Sequence, residues 1–162
     1  MKMPGNILLL LSIKPEYAAK IFTGQKTVEL RRVRTRLNTG DLVLVYVSSP
    51  QKALVGTFEV ESIQETEITE LPKDLNKFWK QIKNYAGISP KEFQTYYQGA
   101  TVVVGIFFTN VKIFEVPIHL DQLRQKIPQL KPPQSYRYVN ENEMKIINSL
   151  IAKNNQLQMI KK

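Results

Sequence analysis

Cysteine is absent from this 162-residue chain, and histidine and tryptophan each occur once. The first absence removes thiolate nucleophiles, cysteine-based zinc sites and disulfides, so packing alone must hold the interior, as suits a reducing compartment. The lone histidine, His119, excludes a multi-histidine metal site. It precedes Leu120-Asp121-Gln122-Leu123, a short helical pattern, and reads as a helix-entry residue rather than a catalytic base. Long apolar runs are missing as well: Ile7 to Leu11 is a run of five, far below the roughly 18 residues a membrane-spanning helix needs. Met1-Lys2-Met3-Pro4-Gly5 superficially resembles the start of a secretion signal, but Ser12, Lys14, Pro15 and Glu16 break the apolar stretch and no small-residue cleavage site follows. The expectation is a cytoplasmic protein with no membrane partner, no metal and no cofactor. Acidic residues are the scarcer charge, 14 Asp and Glu against 23 Lys and Arg, for a formal net charge of +9. That excess is the electrostatic footprint of a polyanion partner, although basic composition also occurs without one.

Charge is concentrated in one place. Gly24-Gln25-Lys26-Thr27-Val28-Glu29-Leu30-Arg31-Arg32, followed by Arg34 and Arg36, sets a lysine, a carboxylate and four guanidinium groups close together in the chain. From Val28 the pattern alternates, with Val28 and Leu30 on one face of a strand and Thr27, Glu29 and Arg31 on the other. The plain alternative is an amphipathic edge strand with a solvated charged face.

Mixed elements without repeats surround this segment, on a chain of one ordinary domain's length. Ile7 to Ile13 reads as a central strand buried on both faces, Pro15 opens a helix carrying Ala18, Ile21 and Phe22, and Gly24 stands where a helix cap belongs. After the turn Asn38-Thr39-Gly40-Asp41, Leu42 to Val47 is a buried strand ending at Ser48-Ser49-Pro50, and residues 54–61 alternate as a strand wet on one face. A helical insertion at 71–98 follows, with Leu75, Phe78, Trp79 and Ile82 at helical spacing and a second helix opening at Ser89-Pro90. Trp79 at that spacing suits core packing better than base stacking. Thr101 to Phe108 is an apolar strand, continued by Val111 to Val116, in which Gly105 suggests a bulge or bend. Lys131 to Val139 is extended, Asn140 with Glu143 forms a capping box for a last helix bearing Met144, Ile147 and Ile151, and a polar tail occupies 153–162. These elements describe an α+β chain, a single domain over 1–152, built as a small closed or partly closed mixed β-barrel with peripheral helices.

The run from Leu10 to Arg31 resembles the opening of an ASCH domain, whose signature Gly-x-Lys-x-x-Glu-x-Arg is matched by Gly24, Lys26, Glu29 and Arg31. Tyr46-Val47-Ser48-Ser49-Pro50, Val55-Gly56 and Pro133-Gln134-Ser135-Tyr136-Arg137-Tyr138 are similar to segments of the family's longer members, so the resemblance spans most of residues 7–139. It implies a PUA-like barrel with a cleft lined by the signature, a fold associated with RNA binding and sometimes with RNA or nucleoside chemistry.

On that basis the candidate nucleic-acid-binding residues are Lys26, Glu29, Arg31, Arg32, Arg34, Arg36, Ser48, Ser49, Gln134, Tyr136 and Arg137, lining a basic cleft for RNA, another nucleic acid or a nucleoside. The arginines suit phosphate oxygens, whereas Glu29 has the wrong sign for phosphate and suits a base or sugar donor. Tyr136 and Tyr138, alternating with Arg137, can stack on an unpaired base or pack beside the barrel while Arg137 pairs an acid. The competing reading is a hydrolase acting on RNA or a modified nucleoside, with Lys26 and Glu29 as proton-transfer groups. In the family's acetylcytidine-deacetylating pattern a threonine stands three residues after the lysine, but here Glu29 holds that place, and Tyr85-Ala86-Gly87-Ile88 supplies no matching acid. A third alternative is a regulatory domain that binds an unspecified protein partner, for which a closed or apolar cleft is expected.

Overall fold

The computed structural model describes residues 8–161, with residues 157–161 followed as helix backbone only. Ile7 and the segment Met1 to Gly5 therefore lie outside the described residues. Six strands and five helices are described, in the order β1 (Leu8–Ile13), α1 (Pro15–Phe22), β2 (Val28–Arg31), β3 (Leu42–Val47), β4 (Ala53–Glu67), α2 (Lys73–Ile82), α3 (Pro90–Tyr96), β5 (Val102–His119), α4 (Leu120–Lys126), β6 (Tyr136–Tyr138) and α5 (Glu141–Lys161). The strands make one mixed sheet, β2-β5-β4-β3-β1-β6, in which β1 and β3 are parallel and the other neighbours antiparallel.

The sheet curls into a half-barrel, and the cause is visible in its register. Pairing of β4 with β5 shifts between Leu54 and Gly56, Thr57 and Glu59, and Val60 and Ser62, and pairing of β3 with β4 shifts between Val45 and Tyr46. Each extra residue bends its strand and increases the twist. The bend expected at Gly105 is not among them: Gly105 pairs in regular register with Leu30 on one side and Gln64 on the other. Its lack of a side chain serves packing instead, because a Cβ there would stand 3.2 Å from Cζ of Phe78 and 3.4 Å from Cγ2 of Val28.

Burial explains why β1 is apolar throughout. Leu9, Leu11 and Ile13 face the inside of the curl with Val43, Val45, Phe58 and Ile106, where Ala18 and Ile21 of α1 also pack. Leu8 and Leu10 face the opposite side, under Leu120 and Leu123 of α4 and Ile147 and Leu150 of α5. A third cluster joins Val28 and Leu30 of β2 to Leu75, Phe78 and Ile82 of α2 and Phe93 of α3, with Trp79 packed against it. The helical insertion thus covers the outer face of an edge strand. Removing a buried aromatic such as Phe78 or Phe93 costs about 3–5 kcal/mol.

The insertion also closes β2's backbone, since Thr27 N and Val28 N both donate to Tyr85 O at 2.8 and 3.2 Å. At the far edge, Asn140 Oδ1 accepts from Glu143 N at 2.8 Å while Glu143 Oε1 accepts from Asn140 N at 3.2 Å, which starts α5 with the expected reciprocal cap. The helix does not end at residue 153. It continues through the stretch expected as a polar tail because Asn154, buried to 5% exposure, exchanges side-chain amide hydrogen bonds with Gln122 at 2.8 and 3.1 Å. His119 ends β5 and occupies the N-cap position of α4.

Candidate functional site

A cleft of about 450 Å³ opens where α1, β2 and the α2–α3 insertion meet the β1 end and the chain before β6. Its chemistry begins at Gly24, which at φ +82° takes the left-handed conformation that ends α1 and turns the chain into β2. Lys26 follows on the turn and Glu29 and Arg31 on the strand, all three lining the cleft, while Val28 and Leu30 face the third apolar cluster. The period of two in the sequence is therefore realised as polar groups in the cleft and apolar groups against the helices, with Leu30 also reaching the cleft wall.

Lys26 is 2% exposed and Glu29 is 7% exposed, so both charges are held largely out of water. Lys26 Nζ donates to Ala86 O at 2.7 Å and lies 5.5 Å from the Tyr17 ring centroid. Burial pushes the Lys26 pKa below its ordinary value. Glu29 opposes that shift, and Arg31 and Lys20 add to it. Glu29 Oε1 accepts from Leu30 N at 3.2 Å. Neither Lys26 nor Glu29 forms an ion pair with a described residue.

Arg31 is fixed by Nη1 donating to Ser135 Oγ at 3.1 Å and Nη2 to Ser12 O at 3.3 Å. Its Nε is buried and has no hydrogen-bond partner.

Residues that periodicity did not single out complete the walls. Tyr17 OH donates to Glu92 Oε2 at 2.9 Å, and burial together with that hydrogen bond pushes the phenol pKa up to about 12. Glu92, on α3, is held below the ordinary carboxylate range by hydrogen bonds from Ser89 N, at 3.1 Å to Oε1, and from Tyr17. An acid does therefore reach the cleft from the insertion, four residues beyond Ile88 rather than within Tyr85–Ile88. The Ser89-x-x-Glu92 capping box was its only signal, and a cap names a helix start, not a cleft. Lys20 Nζ donates to Gly87 O at 2.6 Å, so two lysines bind the same turn of the insertion. Gly87 has φ +65°, and a Cβ on it would come within 3.1 Å of Lys26 Cβ.

The candidate residues divide into two groups. Lys26, Glu29, Arg31, Ser48 and Gln134 line the cleft, together with Lys14, Tyr17, Glu92 and Tyr96. Arg32, Arg34, Arg36, Ser49, Tyr136 and Arg137 do not. Arg32 Nη2 donates to Gln98 O at 3.1 Å. Arg34 pairs with Glu65 at 3.1 Å and Glu67 at 3.6 Å, and Arg36 lies over the Tyr138 ring with its guanidinium carbon 4.2 Å from the centroid. Tyr136 and Tyr138 meet edge to face at 5.7 Å, and Arg137 pairs with Glu143 at 2.8 Å, which is the packed alternative of the two open for that segment. The cleft is accordingly of mixed sign, Lys14, Lys26 and Arg31 against Glu29 and Glu92. Among the described residues no cluster of three or more His, Asp or Glu could hold a metal ion, and no helix is long and apolar enough to cross a membrane.

The family model described as ASCH domain matches residues 11–126. An ASCH domain-containing ribonuclease of Zymomonas mobilis subsp. mobilis is 26% identical over 150 residues, covering 93% of this chain and 96% of that protein. The crystal structure of ASCH from Zymomonas mobilis superposes with a TM-score of 0.78 at 26% identity, over 88% of this chain and 94% of that one. Large ribosomal subunit protein uL22 of Ureaplasma parvum is 31% identical over 131 residues, 81% of this chain but 39% of that protein, so the chain spans well under half of it. Human THYN1 protein, solved in complex with 5-methylcytosine-containing DNA, shares the fold with a TM-score of 0.56 at 13% identity, over 90% of this chain and 98% of that one.

Proposed function

The chain belongs to the ASCH domain family, and on that premise we propose that its cleft binds single-stranded RNA, with one base set against Glu29 and the flanking phosphates along Lys14, Arg31 and Arg32. One observation carries this reading: Lys26, Glu29 and Arg31, spaced along one motif, converge on one cleft without neutralising each other through ion pairs. Buried charges that are not paired within the protein are held at a cost, and a ligand of complementary charge and hydrogen bonding relieves it. A bare anion would meet Glu29 and Glu92 as repulsive neighbours. A nucleotide offers each sign its counterpart, phosphate for the cations and base or ribose donors for the carboxylates. The ribonuclease relative supports RNA over other polyanions.

The test is fluorescence anisotropy with labelled single-stranded RNA, duplex RNA and single-stranded DNA at several salt concentrations. Affinity for single-stranded RNA should exceed the others and fall steeply with salt, by a slope of about 0.7 per phosphate contact. Absence of binding to every oligonucleotide at low ionic strength would overturn the reading.

A second reading, RNA cleavage, is favoured by the depressed pKa of Lys26 beside Glu29 and by the name of the Zymomonas relative. The 2′-hydroxyl oxygen attacks the adjacent phosphorus and the bond from phosphorus to O5′ breaks. Glu29 takes the hydroxyl proton and Lys26 supplies a proton to O5′, leaving a 2′,3′-cyclic phosphate and a free 5′-hydroxyl. Such general acid-base groups are worth about 100- to 10,000-fold in rate. Multiple turnover lost in Lys26→Ala with binding retained would establish cleavage. Loss of affinity without any turnover in the parent protein would leave binding alone.

A further inference from the structure

We infer that the base seated in the cleft is guanine, read along its Watson–Crick edge by Glu29 with a cation beside it, an assignment that rests on the RNA-binding reading above. Glu29 contributes a carboxylate of which Oε1 accepts from Leu30 N at 3.2 Å, while no described residue donates to Oε2. An ionised carboxylate accepts and never donates, so it selects an edge with adjacent donors. Guanine presents N1–H next to its N2 amino group. Uracil has one N–H between two carbonyl oxygens, and adenine and cytosine each set a ring-nitrogen lone pair beside their amino group, which a carboxylate repels.

The neighbours of Glu29 match the remaining atom of that edge. Guanine's O6 adjoins N1–H and accepts only. Lys26 Nζ spends one of its donors on Ala86 O at 2.7 Å, and Lys26 lines the same cleft as Glu29. A carboxylate and a lysine lining one cleft thus offer acceptors for the two donors of that edge and a donor for its acceptor. Ile13 and Ile88 supply apolar walls and Tyr17 and Tyr96 aromatic ones, in a space of about 450 Å³. That lies within the usual range for small-ligand pockets, about 300–1,000 Å³, and Tyr faces stack on any base, leaving the choice of base to Glu29.

The experiment measures binding of single-stranded uridine heptamers carrying one central guanosine, inosine, 1-methylguanosine, adenosine, cytidine, N4-acetylcytidine or uridine. Guanosine should bind about ten- to a hundredfold tighter than adenosine, cytidine or uridine, the discrimination expected of a bidentate contact. Inosine, which lacks the N2 amino group, should fall between, and 1-methylguanosine should lose the preference. Glu29→Gln should flatten the series, bringing the affinity for the guanosine heptamer to within about threefold of the others. Equal affinity across the series, a preference for N4-acetylcytidine, or a guanosine preference that survives both 1-methylation and Glu29→Gln would overturn guanine readout while leaving RNA binding standing. No binding by any heptamer would overturn both. The comparison of bases on the parent protein decides the matter even if Glu29→Gln does not fold.

Discussion

Lys26, Glu29 and Arg31 lie in the wall of the cleft, whereas Arg34 and Arg36, a few residues further along the same charged segment, do not line it and sit exposed beside Tyr136 and Tyr138. Lys26 and Glu29 of the inner group are buried, Arg31 is half-buried, and none of the three meets an oppositely charged partner among the described residues. The outer group is committed. Arg34 is held by Glu65 and Glu67, Arg36 N donates to Tyr138 OH at 2.9 Å, and Tyr136 OH donates to Arg34 O at 3.4 Å. Charge density along a chain is thus a poor guide to where charge is available. What separates the two groups is the kind of partner: Lys26 and Arg31 donate to carbonyl and hydroxyl oxygens that leave their charge unneutralised, whereas Arg34 meets two carboxylates and the Arg36 guanidinium a ring face.

The sharpest way to test this contrast is to remove the inner charge. Lys26→Met should weaken RNA binding about ten- to a hundredfold, as expected for losing hydrogen bonds from a charged group, while thermal denaturation shows stability unchanged or raised, because a desolvated ammonium has been replaced by a side chain that favours burial. A large fall in melting temperature with affinity intact would reverse the assignment and make Lys26 structural.

The outer group should respond in the opposite sense. Tyr138→Phe removes the acceptor for Arg36 N and should cost about 1 kcal/mol of stability in denaturant titration with RNA affinity unaltered. Arg34→Ala should change affinity less than about threefold, since an exposed pair of this kind is worth about 0–1 kcal/mol. Arg32 lies between the groups, exposed and with its guanidinium donating to Gln98 O. Arg32→Ala should lower the slope of affinity against salt by about one contact without changing base preference.

A smaller effect attends the Tyr17–Glu92 bond. The Tyr17 pKa is raised from 10.0 in the folded chain to about 12, so its contribution to stability is complete below pH 10 and is lost as pH rises through about 12. The Glu92 pKa is lowered from 4.5, so its contribution is present above that value and fades as pH falls through the folded one. Tyr17→Phe should remove a phase at about pH 12 from an ultraviolet tyrosinate titration, leaving the still later phase of the more deeply buried Tyr97, and should steepen the acid limb little, because Ser89 still holds Glu92. Loss of a phase near pH 10 instead of near 12 would show the bond to be absent in solution.

Local pattern made much of the fold legible. Alternation placed Val28 and Leu30 opposite Glu29 and Arg31, the apolar run of β1 announced burial on both faces, and caps at Ser89 and Asn140 located two helices. What escaped were properties decided by distant neighbours. Gly105 looks like a bend in isolation, yet its reason is the Phe78 ring arriving from the insertion. Residues 153–161 read as a tail because nothing nearby in sequence reveals Gln122 as the partner that lets Asn154 be buried. Of the site, the signature was readable, but Glu92, Tyr17 and Ser135 join it only through folding, and the commitment of Arg34 to Glu65 and Glu67 depends on β4 running past Ser62.

The helical insertion leaves β4 at Glu67 and rejoins β5 at Val102, and Ile68 N donates to Thr101 O at 2.9 Å across its base. Its two ends therefore meet as those of a short hairpin loop would, and the barrel's ladder closes beneath it. Loops so anchored tolerate change in length at small entropic cost, about 0.6 kcal/mol per doubling. Yet this excursion carries Ala86, Ile88, Glu92 and Tyr96 to the cleft. Evolution can thus exchange the cassette, within the limit that something must still cover Val28 and Leu30, and so rewrite which ligand is accepted while the barrel and its signature pass unchanged from one descendant to the next.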